Sequence, residues 1–360
     1  MHKCSPPFKD QNAHVASVKN ILGSHASYLM SGKELSKIVA FVKGTQFDLL
    51  EFLQRERYGS AHLDNFASGR ELIGQKACPK LMERFGEREE VVKMDVFNTF
   101  IELLRQTGNA RKGQNEDGPS SPICLLKQEV PKIVKLVQRQ LRGISVNTKV
   151  AALSLLKELA VVLPECMADN FKILLPEIQN ALCDKSSTSA LKLEALILTR
   201  LVLASNSPTV FYTYIEDISR PILLAVRDSY YKVTAEALRV CDEIVRVVRP
   251  KTQGYNFDYK PCIYPIYNAI MECLVNQDQY QEVKECAISS IGFVVCTFGD
   301  NLGAELPACL TILANRMGNE ITRLAAVKGL LTYCCFSNAP RPILCPRACY
   351  RRSDCIFKKG

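Results

Sequence analysis

Apolar residues recur along this chain at helical spacing, in stretches that come two by two. "VPKIVKLVQRQL" (130–141) is followed by the polar break "RGIS" and then by Leu153, Leu155, Leu156 and Leu159, spaced as on a helix with one buried face. Further breaks of the same kind, "GER", "CDKSSTS", "RDS", "NQDQ" and "GNE", separate further pairs. No period-two alternation of a strand competes with this pattern.

The pairs keep a beat. Pro79, Pro131, Pro176, Pro221, Pro265 and Pro307 each stand before an apolar helical stretch, separated by 52, 45, 45, 44 and 42 residues. Proline suits the first helical turn, where its missing N–H would be unpaired anyway, so each is expected to open the first helix of a pair. The second helix starts with a cation, Lys93, Lys149, Lys192, Lys232, Lys284 or Arg323, at intervals of 56, 43, 40, 52 and 39. Three positions on come Ala152, Ala195, Ala235, Ala287 and Ala326, with Val96 as the sixth. A small side chain held at one register position predicts a close approach of two helices.

The two long intervals contain turn-rich segments, 108–122 ("GNARKGQNEDGPSSP") and 249–261 ("RPKTQGYNFDYKP"), which read as loops. Without them the unit is about 40 to 45 residues of two antiparallel helices, the length of HEAT or armadillo repeats. The two-helix unit and the acidic-then-basic turn favour HEAT. One such pair cannot cover its own apolar face, so the copies must stack. The predicted fold is an all-α HEAT-repeat α-solenoid, a superhelix of stacked antiparallel helix pairs, with about six repeats over 71–333. Residues 1–70 are expected to form a divergent helical segment, a candidate cap, and the basic Cys/Pro-rich tail 334–360 is expected to be poorly ordered.

The cations at the helix starts admit two readings, a partner-binding ladder or a structural pairing. Asp228 lies four residues before Lys232 and Asp278 six before Lys284, so pairing across the turn within each repeat is expected ahead of partner contact.

Composition narrows the function. No window of 18 apolar residues occurs and no apolar leader opens the chain, which argues against membrane insertion and secretion. Most of the sixteen cysteines stand alone in apolar helices and read as reduced thiols acting as small apolar side chains; cytoplasm and nucleus are the expected locations. The net charge is +9, but residues 337–360 carry six basic residues against one acid, so a basic nucleic-acid stripe along the body is not supported. A nucleic-acid binder acting through the tail remains a minor alternative.

Catalysis finds no foothold. The four histidines all lie in the first 62 residues, and no hydrolase, metalloprotease or nucleotide-loop motif is present. "GRELIGQK" (69–76) lacks lysine at the place where a phosphate loop needs it. Cys334, Cys335, Cys345, Cys349 and Cys355 lack the paired C-x₂-C of ordinary zinc sites. No catalytic, cofactor or metal residue is assigned, no cofactor is expected, and the partner-binding residues stay unassigned.

Long strings carry a further signal. "ACPKLMERFGEREEVVKMDVFNTFIELLRQTGN", "LPEIQNALCDKSSTSALKLEAL", "YYKVTAEALRVCDEIVRVVRP", "YPIYNAIMECLVNQDQYQEVKECAISSIG" and "FGDNLGAELPACLTILANRMGNEITRLAAVK" closely resemble the cullin-associated, neddylation-dissociated proteins, especially the plant members. The resemblance spans 71–333, 263 of 360 residues, and looks like an internal portion of that family's N-terminal half. The tail departs from it after about Lys328. The resemblance implies an all-HEAT, non-enzymatic scaffold that wraps an unneddylated cullin–RING partner and promotes exchange of substrate-receptor modules. A HEAT-type nuclear transport receptor is the alternative within the same fold.

Overall fold

The computed structural model describes residues 78–111, 121–250, 257–276 and 278–336. The 1–70 segment, the 69–76 motif, and Cys345, Cys349 and Cys355 of the tail therefore lie outside the described residues. Every described element is helical. The first helices of the pairs are α1 (Cys78–Glu83), α3 (Pro122–Leu141), α5 (Phe171–Cys183), α7 (Ile215–Ala225), α9 (Lys260–Val275) and α11 (Glu305–Arg316). The second helices are α2 (Glu90–Arg111), α4 (Val146–Val162), α6 (Ser189–Ser205), α8 (Tyr231–Val248), α10 (Gln281–Phe298) and α12 (Arg323–Phe336). From α4 to α12 the second helices begin 43, 42, 50 and 42 residues apart. The all-α helix-pair repeat legible in the sequence is thus the fold.

The chain divides into two compact units, with the boundary between Ile178 and Gln179. In the first unit α4 packs on both α2 and α3, and Phe85, in the short turn Arg84–Gly86 that follows α1, stacks on Phe97 of α2 (4.8 Å), flanked by Phe100. In the second unit α6, α8, α10 and α12 pack in succession, and α7, α9 and α11 each pack on the second helix of their own pair. The register residues Val96, Ala152, Ala195, Ala235, Ala287 and Ala326 are all 0% exposed. Between α10 and α12 the backbones come nearer still: a Cβ added to Gly292 would sit 2.5 Å from the Gly329 Cα.

The prolines are placed differently from the sequence reading. Pro79 and Pro307 do stand in first turns, but Pro131, Pro176, Pro221 and Pro265 lie inside α3, α5, α7 and α9. Stronger start signals precede them. Ser121 caps α3 by accepting from the Cys124 N–H, with Pro122 in the first position, and Asp258 accepts from the Lys260 N–H ahead of α9. An interior proline removes one backbone donor and leaves the carbonyl four residues back without its helical partner.

The loops are also shorter than expected. Helix α2 continues through Gly108 to Arg111 because a Cβ at Gly108 would meet the Val162 side chain at 3.0 Å, so glycine lets α2 lie close to α4. Helix α9 absorbs Lys260 and Pro261, and α12 runs on through Cys334 and Cys335 to Phe336. Either side of 251–256, Arg249 and Tyr259 are held to the end of α10. Arg249 forks onto Asp300 (2.6 and 2.7 Å) and donates to the Thr297 carbonyl, while the Tyr259 ring stacks on Phe298 and lies beneath the Arg249 guanidinium at 4.9 Å.

The ten cysteines described in full are unpaired, and Cys78, Cys241, Cys273, Cys296 and Cys309 are buried. Burial pushes the Cys78 thiol up to about 12, helped by the nearby Glu129 charge, which suits inert apolar packing. No described helix is long and apolar enough to cross a membrane.

Candidate partner-binding surface

In four of the six described pairs the turn joining the two helices has one recurring construction. A side-chain oxygen accepts from the N–H two residues on: Asp184 from Ser186, Asp228 from Tyr230, Asn276 from Asp278 and Asn319 from Ile321, at 2.8 to 3.0 Å. This closes a compact turn without regular backbone pairing. In the turn before α10 Asn276 takes this role and Asp278 supplies the N–H, whereas in the turn before α8 the acid itself, Asp228, is the acceptor.

Its second oxygen corrects the expected ion pair. Asp228 accepts from Lys192 at 2.7 Å, a lysine of the preceding repeat, and not from Lys232. Among the described residues Asp278 and Lys284 form no ion pair with each other or with other groups. Successive second helices are tied elsewhere too. Arg200 of α6 meets Glu236 of α8 at 2.6 Å, and Arg239 of α8 meets Glu282 of α10 at 2.8 Å. Arg227 and Glu272 form a two-bond fork at 2.6 and 2.7 Å, which holds the Glu272 carboxyl below its usual range. These bridges span 36 to 45 residues of sequence, so each joins neighbouring repeats.

Of the other cations at the helix starts, Lys93, Lys149 and Lys284 are half-buried and two face outward. Lys232 is exposed beside Tyr231, and Arg323 is exposed, donating only to the Met317 carbonyl. Beside them the same turns expose apolar side chains. In the second unit these are Tyr230, Tyr280 (61% exposed), Ile321 (64%) and Leu324. Tyr231 stacks on Tyr280 at 4.4 Å, so the aromatic surface runs from one repeat to the next. In the first unit Ile144 (99% exposed) holds the corresponding place ahead of Lys149. Cations beside exposed aromatic and aliphatic groups make a surface suited to another protein. The apolar members were missed in the sequence reading because they stand within the polar breaks, as Ile144 does, or directly after them, as Tyr230, Tyr280 and Ile321 do. Among the described residues, no three His, Cys, Asp or Glu side chains are placed to hold a metal ion.

Comparison with known proteins gives this surface a context. Residues 165–291 match the family described as "CAND1-like, TPR repeats". Over 256 residues the chain is 66% identical to Cullin-associated NEDD8-dissociated protein 1 of Arabidopsis thaliana, covering 71% of this chain and 21% of that protein. The protein of the same name from Dictyostelium discoideum is 40% identical over 259 residues, again over 71% of this chain and 20% of its own length.

The matched stretch is CAND1-like.

The chain thus spans about a fifth of the length of these curated relatives. The family description names TPR repeats, whose unit is about 34 residues; the second helices of this CAND1-like segment recur at 42 to 50, nearer the HEAT length. Among solved structures, Kap121p bound to Nup53p aligns with a TM-score of 0.60 at 11% identity, over 84% of this chain and 28% of that one. That likeness shows a shared α-solenoid fold and nothing about partners.

Proposed function

We propose that the chain supplies a non-enzymatic, CAND1-like scaffold segment that binds an unneddylated cullin–RING partner and promotes exchange of its substrate-receptor modules, acting in cytoplasm and nucleus. The observation that carries this reading is the 66% identity, over 256 residues, to a plant protein named as cullin-associated and NEDD8-dissociated. A repeat surface of this kind binds a long partner through many modest contacts, so affinity follows total buried area and a pre-formed arrangement. The turn edge carrying Tyr230, Lys232, Tyr280 and Lys284 is the part of it to which we assign cullin contact. The transport-receptor alternative shares only the fold.

Co-purification of the full chain with a cullin–RING pair tests the reading, with and without the ubiquitin-like modification on the cullin. Retention of the unmodified pair and loss of the modified one is the expected result. Failure to retain either form sinks the proposal. The combined variant Tyr230→Ala, Lys232→Glu, Tyr280→Ala, Lys284→Glu should weaken retention at unchanged helicity; undiminished retention would move the contact elsewhere.

A further inference from the structure

In the first unit a groove of about 520 Å³ lies between α1 and α3. Met82, Phe85 and Leu136 form its floor, and Lys132 and Arg139 stand on its rim. The floor is rigid: Phe85 is 1% exposed and locked by its stack on Phe97 and its contact with Phe100. A pre-formed apolar recess of this size accepts two or three aliphatic side chains without rearrangement.

The rim is part of a longer charged feature. Lys132, Lys135, Arg139 and Arg142 follow at i, i+3, i+7 and i+10 along α3, which places them on one face of the helix, and all four are exposed. Lys132 is engaged by Glu129 at 3.0 Å and Arg142 by Glu177 at 2.7 Å. Lys135 and Arg139 make no ion pair or side-chain hydrogen bond among the described residues. Exposed arginines elsewhere do find carboxylates, as Arg105 does with Glu158 and Arg227 with Glu272. Two unengaged cations bordering an apolar recess are what an acidic chain with aliphatic side chains would complement.

We infer that the α1/α3 groove is a docking site for an acidic amphipathic peptide segment, whose carboxylates meet Lys135 and Arg139 while its aliphatic side chains enter the Met82–Phe85–Leu136 recess. Nucleic acid fits this place poorly. The recess is aliphatic where single strands need an open aromatic face for base stacking; Glu129 is engaged by Lys132, and Glu83 stands on the α1 side of the groove, which directs an occupant's carboxylates to the cations of α3. The chain's own basic tail has the wrong sign. The inference is independent of the cullin reading, since it concerns a different face and can hold or fail alone.

The test is fluorescence anisotropy of a labelled peptide, EELDDLLEEL, with the full chain in about 0.15 M salt. Lys135→Glu with Arg139→Glu should weaken binding by about tenfold or more, and Lys135→Gln with Arg139→Gln by a smaller factor, both with unchanged thermal melting. A control of equal charge change, Lys185→Glu with Lys260→Glu, should leave binding nearly intact, and a peptide with serine in place of leucine should bind far more weakly. Equal loss in the control would show that only net charge matters and overturn the site. So would undiminished binding of the leucine-free peptide, or preferential displacement by a short oligothymidylate.

Discussion

The side-chain amide of Gln179 donates to the main-chain carbonyl of Asp217 at 3.0 Å, the carbonyl whose helical donor is missing because Pro221 stands four residues further on. Gln138 also reaches a first-helix carbonyl in the first unit, that of Ile173 at 3.1 Å, but this carbonyl is one residue past the one that Pro176 leaves open. At Pro221 a glutamine of one first helix thus fills an opening that a proline makes in the next.

Gln179→Ala should therefore destabilise the chain by about 1 kcal/mol, the worth of one ordinary hydrogen bond. Pro221→Ala restores the backbone donor, so in that background the same change should cost clearly less. Urea unfolding of the two single variants and the double variant measures the coupling. A Gln179→Ala cost that is the same with and without Pro221 would show that the bond has no such role.

Asp228→Ala removes both the turn acceptor and the partner of Lys192, and should cost about 2 kcal/mol. Lys192→Ala should cost about half of that, whereas Lys232→Ala, which breaks no ion pair, should lie within about 0.5 kcal/mol of the parent. Thermal melts of the three variants check the order. A larger loss for Lys232→Ala than for Lys192→Ala would restore the pairing within the turn that the sequence suggested.

Gly292→Ala places a methyl group 2.5 Å from the Gly329 Cα, against backbone that cannot rotate away. Helices α10 and α12 must separate, and a loss of about 2 kcal/mol or more is expected. Gly86, where an added Cβ meets nothing within 4 Å, is the control site; Gly86→Ala should leave the melt nearly unchanged.

Asp242 gives the body a pH response. Burial raises its carboxyl to about 7, while Ser290, which lies near it without a hydrogen bond of normal geometry, and the Arg246 charge pull the other way. Glu243 adds to the rise, Arg239 opposes it, and the Cys286 thiol faces the carboxyl from α10. In the unfolded chain this group ionises near its ordinary value of 3.8. Between about 4 and 7 the folded form holds a proton that the unfolded form has lost, so stability falls as pH rises through that window and levels off above it. Asp242→Asn should flatten that part of the profile in urea midpoints between pH 5 and 8. An unchanged slope would show that the carboxyl ionises normally.

The beat of the repeat and its alanine register were legible in the sequence because they rest on local periodicity. Ala152, Ala195, Ala235, Ala287 and Ala326 recur wherever two helices meet, and all are fully buried. Helix starts were misplaced because proline is equally at home in a first turn and, when a neighbour supplies the donor, in an interior; the sequence around Pro221 does not show Gln179 standing beside Asp217. The Lys192–Asp228 bridge was hidden for a similar reason, since its partners are 36 residues apart and a nearer lysine invited the wrong pairing. The α1/α3 groove brings Phe85, stacked on Phe97 of α2, together with Leu136 of α3, and no spacing rule reports that.

Arg249 and Tyr259, pinned side by side against Asp300 and Phe298, fix both margins of the 251–256 stretch at one anchorage. Lengthening the stretch between them costs little entropy, and the helices on either side need not register the change. This makes the stretch a natural port for an epitope tag or a fluorophore, and a place where related chains are free to differ in length while their repeats stay in step.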